Sequence, residues 1–227
     1  MQRTLIALAA LAIGATVVGA QQQQERAPAP APAPASTGST TSIGPVLGLD
    51  YTTFTGSDAQ GADYKSDLYV GGLADFTLGL NGMFRTGLVY AGRGAKQTDQ
   101  GVTGKVKLHY LEIPLMLGYR FGTPGAARPY LMGGGHVGFK TGCDLEASQG
   151  GVTASVACDD PNADLKIEST DVALTAGGGV AIPAGTSSFD IHLAYAVGLT
   201  KLISDSNTKN AGFTLAVAYM IPIGTRR

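Results

Sequence analysis

The chain has 227 residues, with 16 Lys and Arg against 17 Asp and Glu, so its formal charge is −1. Domains that hold nucleic acid usually carry a basic excess, and this balance excludes that class of partner. Charged residues make up 15% of the chain, against about 25% in an average soluble domain. Trp is absent, and two Cys and three His leave few side chains for a metal site or a catalytic triad. We therefore expect no enzyme and no cofactor.

The first 20 residues have the pattern of a cleavable secretory signal. Arg3 supplies a positive charge, residues 5–18 are apolar or small, and Val18-Gly19-Ala20 places small residues where signal peptidase cleaves. An apolar run of about 14 residues is short for a helix that crosses a ~30 Å hydrocarbon core. The mature protein is therefore predicted to begin at Gln21.

Residues 21–42 are rich in Gln, Ala and Pro and show no apolar periodicity. Repeated Ala-Pro steps favour an extended polyproline II chain without a packed core. This segment is predicted to be a disordered periplasmic linker, and residues 43–227 are predicted to form a single domain.

Apolar residues alternate with small or polar ones throughout this domain, which is the signature of β-strands. In the clearest segment Leu115 and Leu117 share one face, while Glu112 and Met116 share the other. Eight such segments are predicted, at 43–55, 67–80, 83–93, 110–121, 129–142, 166–182, 189–200 and 213–221.

The connections alternate in length along the chain. Short turns are predicted at Asn81-Gly82, 123–128 and 183–188. Long polar connections are predicted at 56–66, 94–104, 143–165 and 203–210. An outer-membrane barrel has short periplasmic turns and longer external loops. The fold class is therefore predicted to be all-β, an eight-stranded antiparallel up-and-down transmembrane β-barrel.

Aromatic residues fall near both ends of the predicted strands, as expected for rings at two membrane interfaces. The periplasmic girdle is predicted to contain Phe84, Tyr119, Phe121, Tyr130, Phe189 and Tyr219. The outer girdle is predicted to contain Tyr51, Phe54, Tyr69, Tyr90, Tyr110, Phe139 and Phe213. Tyr69, Tyr110 and Tyr130 share the polar face in this register, so some of them point inward or a bulge shifts the count.

The segment Tyr110–Phe121 (YLEIPLMLGYRF), followed by Arg128–Gly135 (RPYLMGGG), resembles the PorT-like group of outer-membrane β-barrels. More loosely, the chain is similar to the small OmpA/OmpX-type barrels. The resemblance implies the fold and an outer-membrane location rather than an activity. The chain departs from the usual pattern at its end, Ile223-Gly-Thr-Arg-Arg227, which lacks a terminal aromatic residue.

The face with small residues is predicted to line a lumen just wide enough for side chains to fill. Buried charges are costly unless they are paired, so the ionisable residues of that face are expected to form an ion-pair network. Its predicted members are Asp50, Asp75, Arg85, Glu112, Arg120, Lys140, Asp171, Asp190 and His192, with His136 on the same face. The network is expected to plug the lumen, although the same residues could gate a narrow pore.

Cys143 and Cys158 lie in the longest predicted connection and are expected to form a disulfide, because the export compartment is oxidising. Acidic residues of that connection could take Ca²⁺, but no EF-hand spacing is present and no metal site is predicted. Pro114 interrupts a predicted strand, and since proline cannot donate to a ladder, either a bulge lies there or the strand boundary is wrong. The family resemblance implies the bulge.

The predicted function is a structural or surface-interaction role for an outer-membrane protein of a diderm bacterium, carried by its extracellular loops. The alternatives are a narrow pore for small solutes or ions and a secreted lipocalin-like carrier of an apolar ligand. Expected partners are outer-membrane lipids, the barrel-assembly machinery during insertion, and extracellular ligands or surfaces.

Overall fold

A computed structural model describes residues 41–160, 167–203 and 205–224. The chain divides into two units, residues 1–35 and 36–227, and every described residue belongs to the second. The predicted signal and all but the last two residues of the predicted linker lie outside the described residues and stay predictions. In the described part no helix is long and apolar enough to cross a membrane.

Nine antiparallel strands make up the described fold. They are β1 (Thr41–Thr55), β2 (Lys65–Leu78), β3 (Gly82–Asp99), β4 (Val102–Arg120), β5 (Arg128–Gln149), β6 (Val152–Ala157), β7 (Thr170–Ala184), β8 (Ser187–Gly198) and β9 (Lys209–Ile223). The first strand begins at Thr41, so the last two residues of the predicted linker pair with β2 and β9.

Eight of the strands close into a hydrogen-bonded ring. Each pairs with its neighbour in the chain, and β1 also pairs with β9, which closes the ring. β5 pairs with β4 along its whole length. On its other edge it pairs with β7 in its first half and with the short β6 in its second half. The predicted eight-stranded antiparallel fold is confirmed, and β6 is an addition outside the ring.

The ring has two ends. The terminal end contains the start of β1, the end of β9 and the short connections β2–β3, β4–β5 and β7–β8. The loop end contains the connections β1–β2, β3–β4, β5–β6, β6–β7 and β8–β9. These two names are used below.

The aliphatic face of each strand points away from the ring. On β8, Leu193 is 51% exposed while its neighbours Ala194 and Ala196 are buried. On β9, Leu215 is exposed and Ala216 is buried in the same alternation. This confirms the predicted assignment of faces. It also contradicts a lipocalin-like carrier, whose apolar side chains would turn inward.

Two connections predicted to be long loops are mostly strand. β3 and β4 continue through 94–104 and meet at Gln100-Gly101, both with positive φ (47° and 81°). β5 and β6 extend through much of 143–165 and meet at Gly150-Gly151, also with positive φ. Two residues with positive φ form the tight turn of a β-hairpin. The prediction was wrong here because the outward face becomes polar beyond the apolar belt, whereas Val106 and Leu145 continue the alternation on the inward face.

The predicted bulge at Pro114 is also wrong. Pro114 pairs with His136 in an uninterrupted part of the β4–β5 ladder, and the register shift lies between His109 and Tyr110. On the edge of β4 that faces β3, the ladder has no pairs at Ile113 and Pro114. Because proline has no N–H to donate, the strand accommodates it by losing pairs on that edge.

Three tyrosines predicted for the aromatic girdles point into the ring. Tyr69, Tyr110 and Tyr130 are 7%, 0% and 2% exposed. Their odd or even positions along the strands place them on the polar face. The register shift between His109 and Tyr110 does not reverse that assignment. The outward aromatic residues are exposed near the ends of the strands, among them Tyr51, Phe76, Tyr119, Phe139, Phe189, Phe213 and Tyr219.

Candidate functional site

The lumen near the terminal end contains a network that we call the Arg85 cluster. Arg85 on β3 binds Asp75 through two hydrogen bonds, Nε–Oδ1 at 2.7 Å and Nη2–Oδ2 at 2.9 Å. The same guanidinium lies 3.0 Å from Asp190 Oδ2 on β8. All three side chains are at most 3% exposed. One cation therefore bridges two carboxylates across the ring, from β2 to β8.

Three further side chains complete the Arg85 cluster. Arg120 Nη2 lies 2.8 Å from Asp75 Oδ2. The Tyr130 hydroxyl donates to Asp190 Oδ1 at 2.8 Å and accepts from Arg85 Nη1 at 3.0 Å. His192 Nδ1 lies 3.0 Å from Asp190 Oδ1. Removing water from charges is costly unless they are paired and hydrogen-bonded, and each charge of this cluster has such partners.

A second network, the Arg93 cluster, lies closer to the loop end. Arg93 binds Glu112 through Nε–Oε1 at 2.8 Å and Nη2–Oε2 at 2.7 Å. Its Nη1 lies 3.4 Å from Asp50 Oδ1, which also accepts from Thr214. The guanidinium thus links β3 with β4 and β1. Glu112 and Asp50 are both buried.

His136 joins the Arg93 cluster from β5. Its Nε2 lies 3.7 Å from Glu112 Oε1, and its Nδ1 lies 3.3 Å from Thr175 Oγ1 on β7. A hydroxyl, an imidazole and a carboxylate in series resemble a catalytic relay. However, Glu112 is already held by both arms of Arg93, and the cavity beside His136 measures about 40 Å³, room for a few water molecules but not for a substrate. The arrangement is suited to filling space with satisfied polar groups.

Two residues predicted for the network lie apart from both clusters. Asp171 on β7 accepts from Thr200 Oγ1 and Asn210 Nδ2, each at 2.8 Å. Lys140 donates to the backbone carbonyl of Ile167. Among the described residues, the structure brings neither side chain into an ion pair. Both sit where the ring meets the loop-end connections.

An apolar cluster closes the lumen at the loop end. Leu108 and Tyr110 of β4 pack with Ile167 and Leu202, which come from the β6–β7 and β8–β9 connections. All four are at most 9% exposed. Phe54 lies against the same group. Ile167 and Leu202 therefore cover the mouth of the ring.

The residue most important to the lumen that sequence reasoning missed is Arg93. The predicted strand ended there, and the residue was left at the border of a supposed loop. Arg85 and Arg93 are eight positions apart on one strand, and an even separation places them on the same face. The even separation from Arg85 was therefore the signal from which an inward Arg93 could have been predicted. Tyr130, Thr175 and Thr214 had no comparable signal, because their partners come from strands distant in the chain.

Beyond the lumen, the loop end carries a four-stranded β-extension. It consists of the outer parts of β3, β4 and β5 together with β6, roughly residues 94–107 and 142–157. Cys143 and Cys158 form a disulfide, which ties the end of β6 to β5. The inner face of the extension carries Val106, Leu145, Ala147 and Val156, which line a cavity of about 420 Å³ with Phe54 of β1.

The outer face of the extension is charged. Glu146 lies 2.7 Å from Lys105 Nζ and 2.5 Å from Lys107 Nζ. These hydrogen bonds, from Lys105 first and then Lys107, lower the pKa of Glu146 to about 2. Across the described residues, no three His, Cys, Asp or Glu side chains gather as metal ligands would.

Comparison with known proteins identifies the family. The sequence profile described as "Outer membrane protein beta-barrel domain" matches residues 20–204. The chain belongs to this family of outer-membrane β-barrels. Its location is therefore the outer membrane, and the exposed aliphatic belt of the ring is the surface that meets lipid. No curated protein matches the sequence significantly.

One solved outer-membrane protein shares the fold, and two others are similar to a lesser degree. The outer membrane protein OprG from Pseudomonas aeruginosa has a TM-score of 0.53 and 13% identity, covering 83% of this chain and 98% of that chain. Neisserial surface protein A has a TM-score of 0.44 and 13% identity, covering 78% and 95%. Ail, the attachment invasion locus protein of Yersinia pestis, has a TM-score of 0.40 and 14% identity, covering 81% and 99%. At this identity the likeness concerns the fold alone.

Proposed function

We propose that this protein is a closed outer-membrane anchor that displays the β-extension for contact with extracellular ligands or surfaces. The observation that carries the proposal is the filled lumen. The Arg85 cluster, the Arg93 cluster and the apolar cluster follow one another from the terminal end to the loop end. A cavity of about 40 Å³ lies among the inward side chains of both ion-pair clusters. Such packing supports anchoring and disfavours a narrow pore.

The β-extension supports the second half of the proposal. β4 runs nine positions from Leu111, the last apolar residue of its outward face, to Val102, which is about 30 Å along a strand. The sheet is paired along this length, tied by the disulfide, and apolar on its inner face, which favours a defined shape. The cavity on its inner face and the charged outer face offer two chemically distinct surfaces to a partner.

Orientation and family subgroup complete the proposal. We infer that the chain belongs to the PorT-like group, because 110–121 and 128–135 resemble it. The signal and the Ala-Pro linker favour a periplasmic N-terminus, with insertion by the barrel-assembly machinery. The terminal end then faces the periplasm and the loop end faces the exterior.

Surface proteolysis of intact cells tests this arrangement. The full chain, carrying an epitope tag within the linker, is produced in a diderm bacterium and exposed to a broad-specificity protease. We expect cleavage in the loop-end connections of intact cells, a protected barrel fragment, and loss of the linker tag only after the outer membrane is permeabilised. Cleavage of the linker tag in intact cells, with loop-end connections protected, would contradict the proposal.

A further inference from the structure

The outward face of β4 changes from apolar to basic just beyond Leu111. Leu115 and Leu117 are 47% and 62% exposed on the lipid side of the ring. The same alternation continues past Leu111 as His109, Lys107 and Lys105. Tyr90 pairs with Leu111, and its ring stacks on His109 at 5.5 Å between centroids. Basic side chains thus begin directly where the apolar surface ends, beside an aromatic ring typical of a membrane interface.

These basic side chains border a cavity of about 660 Å³ on the outside of the ring. Lys96, Lys105, Lys107 and His109 line one side, and Tyr64 lines another. Gly94 and Gly92 of β3 stand opposite Lys107 and His109, so no β3 side chain fills the space between them. A Cβ at Gly94 would lie 2.0 Å from the carbonyl oxygen of Val106, and its φ is +125°. The backbone thus requires glycine at Gly94, and the place of a side chain at Gly92 is taken by Asp67, which lines the same cavity.

The cavity has more positive than negative charge. Four ammonium groups border it, those of Lys65, Lys96, Lys105 and Lys107, against the carboxylates of Asp67, Asp144 and Glu146. Lys65 binds Asp67, and Lys105 and Lys107 share the single carboxylate of Glu146.

Lys96 is the ammonium without a partner. It pairs directly across from Lys105 in the β3–β4 ladder, and no hydrogen bond or ion pair joins its side chain to the residues that the structure describes. On its other edge Lys96 forms an isolated bridge with Asp63, and their side chains do not form an ion pair. Like charges directly opposite each other destabilise a sheet. An anion bound between them would remove that cost.

We propose that this cavity binds the phosphate group of an anionic lipid in the leaflet at the loop end. Lipid phosphates lie at the height where the apolar belt gives way to polar surface, and basic pockets at that height recognise charged headgroups. Lys105 lies six positions from Leu111, about 20 Å along the strand, so Lys96 and Lys105 would extend their long side chains toward the belt to hold the phosphate. The acyl chains of the bound lipid would then lie against Leu111 and Ile113. A free phosphate ion would gain the charge contacts but not the apolar ones. This site goes beyond the proposed anchoring function and does not depend on it.

The test uses the full chain refolded in phosphatidylcholine nanodiscs that contain a small fraction of phosphatidic acid. Retained lipid is measured by native mass spectrometry, with diacylglycerol and inorganic phosphate as comparison probes. K96Q/K105Q is compared with K201Q/K209Q, which removes two lysines of the loop end that do not line the cavity. We expect K96Q/K105Q to lower the affinity for phosphatidic acid about thirtyfold, and K201Q/K209Q to leave it nearly unchanged.

A variant that is expected to bind phosphatidic acid more tightly separates a change in binding from a loss of folding. E146Q removes the carboxylate that Lys105 and Lys107 share, so it should raise the affinity for phosphatidic acid. An equal loss in both lysine variants, weaker binding in E146Q, or inorganic phosphate competing as well as the lipid would each overturn the proposal. Folding of every variant is checked by heat-modifiable gel migration.

Discussion

At the scale of single residues, Arg93 shows what one buried cation contributes to the lumen. It binds Glu112 through two hydrogen bonds and approaches Asp50, and all three side chains are at most 4% exposed. Both carboxylates are buried, so bulk water does not replace the guanidinium when it is removed. Removing one partner of a buried ion pair is more damaging than never having built the pair, because the remaining charge is left without compensation.

We therefore expect Arg93→Met to lower the free energy of unfolding by about 3–5 kcal/mol. The double variant R93M/E112L should lose less stability than R93M alone, because it removes one of the two carboxylates that R93M leaves without a partner. The measurement is urea unfolding of the full chain in lipid bilayers, followed by far-UV circular dichroism. Arg128→Met, at the partly exposed terminal end, is the control and should cost less than about 1 kcal/mol. Equal losses in R93M and R128M would show that the Arg93 cluster has no special energetic role.

Glu146, on the β-extension beyond the apolar belt, gives a second prediction for a single residue. Hydrogen bonds from Lys105 and Lys107 lower its pKa to about 2 from an ordinary value of 4.5. Because the folded-state pKa is depressed, the stabilisation is complete above pH 4.5 and is lost as the pH falls toward 2. Carbon-13 NMR of the side-chain carboxyl should show a midpoint near 2 in the wild type and a higher midpoint in K105Q/K107Q. A wild-type midpoint near 4.5 would contradict the two ion pairs.

The sequence predicted the ionisable side chains of the inward face but not their partners. Asp50, Glu112 and Asp190 are buried on the face to which strand parity assigns them, because with a period of two the position along a strand fixes the face. Pairing depends instead on which strands are adjacent and on their register. For this reason Arg85 was predicted without its bridge to Asp190, and the Arg93 contacts were missed.

Among the structural elements, the β-extension is the part that the sequence described least well. Lysine, threonine and glycine residues suggested loops because the search for strands relied on apolar alternation. Apolar alternation does continue there on the inward face, at Val106 and Leu145, but the outward face is polar, and the tight turns at Gln100-Gly101 and Gly150-Gly151 were not recognised. The disulfide was predictable because two cysteines in an exported chain have one pairing available.

The disulfide should stabilise the extension locally. Its two cysteines are 15 residues apart, and closing a loop of that size contributes about 3 kcal/mol in the chain-entropy model. C143S/C158S should therefore speed amide hydrogen exchange across 144–157 and leave β8 and β9 unchanged, as measured by mass spectrometry of the full chain. Wild-type protein treated with a reductant serves as a matched comparison. Equally faster exchange in β8 and β9 would show that the bond stabilises the whole ring instead.

For the whole molecule, the account rests on two opposite surfaces of one sheet. The outward surface is aliphatic and meets lipid, as the family assignment requires. The inward surface is filled by ion pairs, tyrosines and small side chains, with an apolar cluster at the loop-end mouth. Eight strands enclose a lumen that side chains can fill. Composition and alternation were enough to predict this division. The face that meets lipid must be apolar, whereas the face that lines the packed lumen carries small and polar side chains.

Planar-bilayer recording of the refolded full chain tests the closed lumen most directly. Folding is verified first by heat-modifiable gel migration, and detergent without protein provides the baseline. A lumen packed by the Arg85 cluster, the Arg93 cluster and the apolar cluster should give no conductance steps above that baseline at any applied voltage. Reproducible ohmic steps from the folded wild-type protein would contradict the account and show that the molecule is a pore.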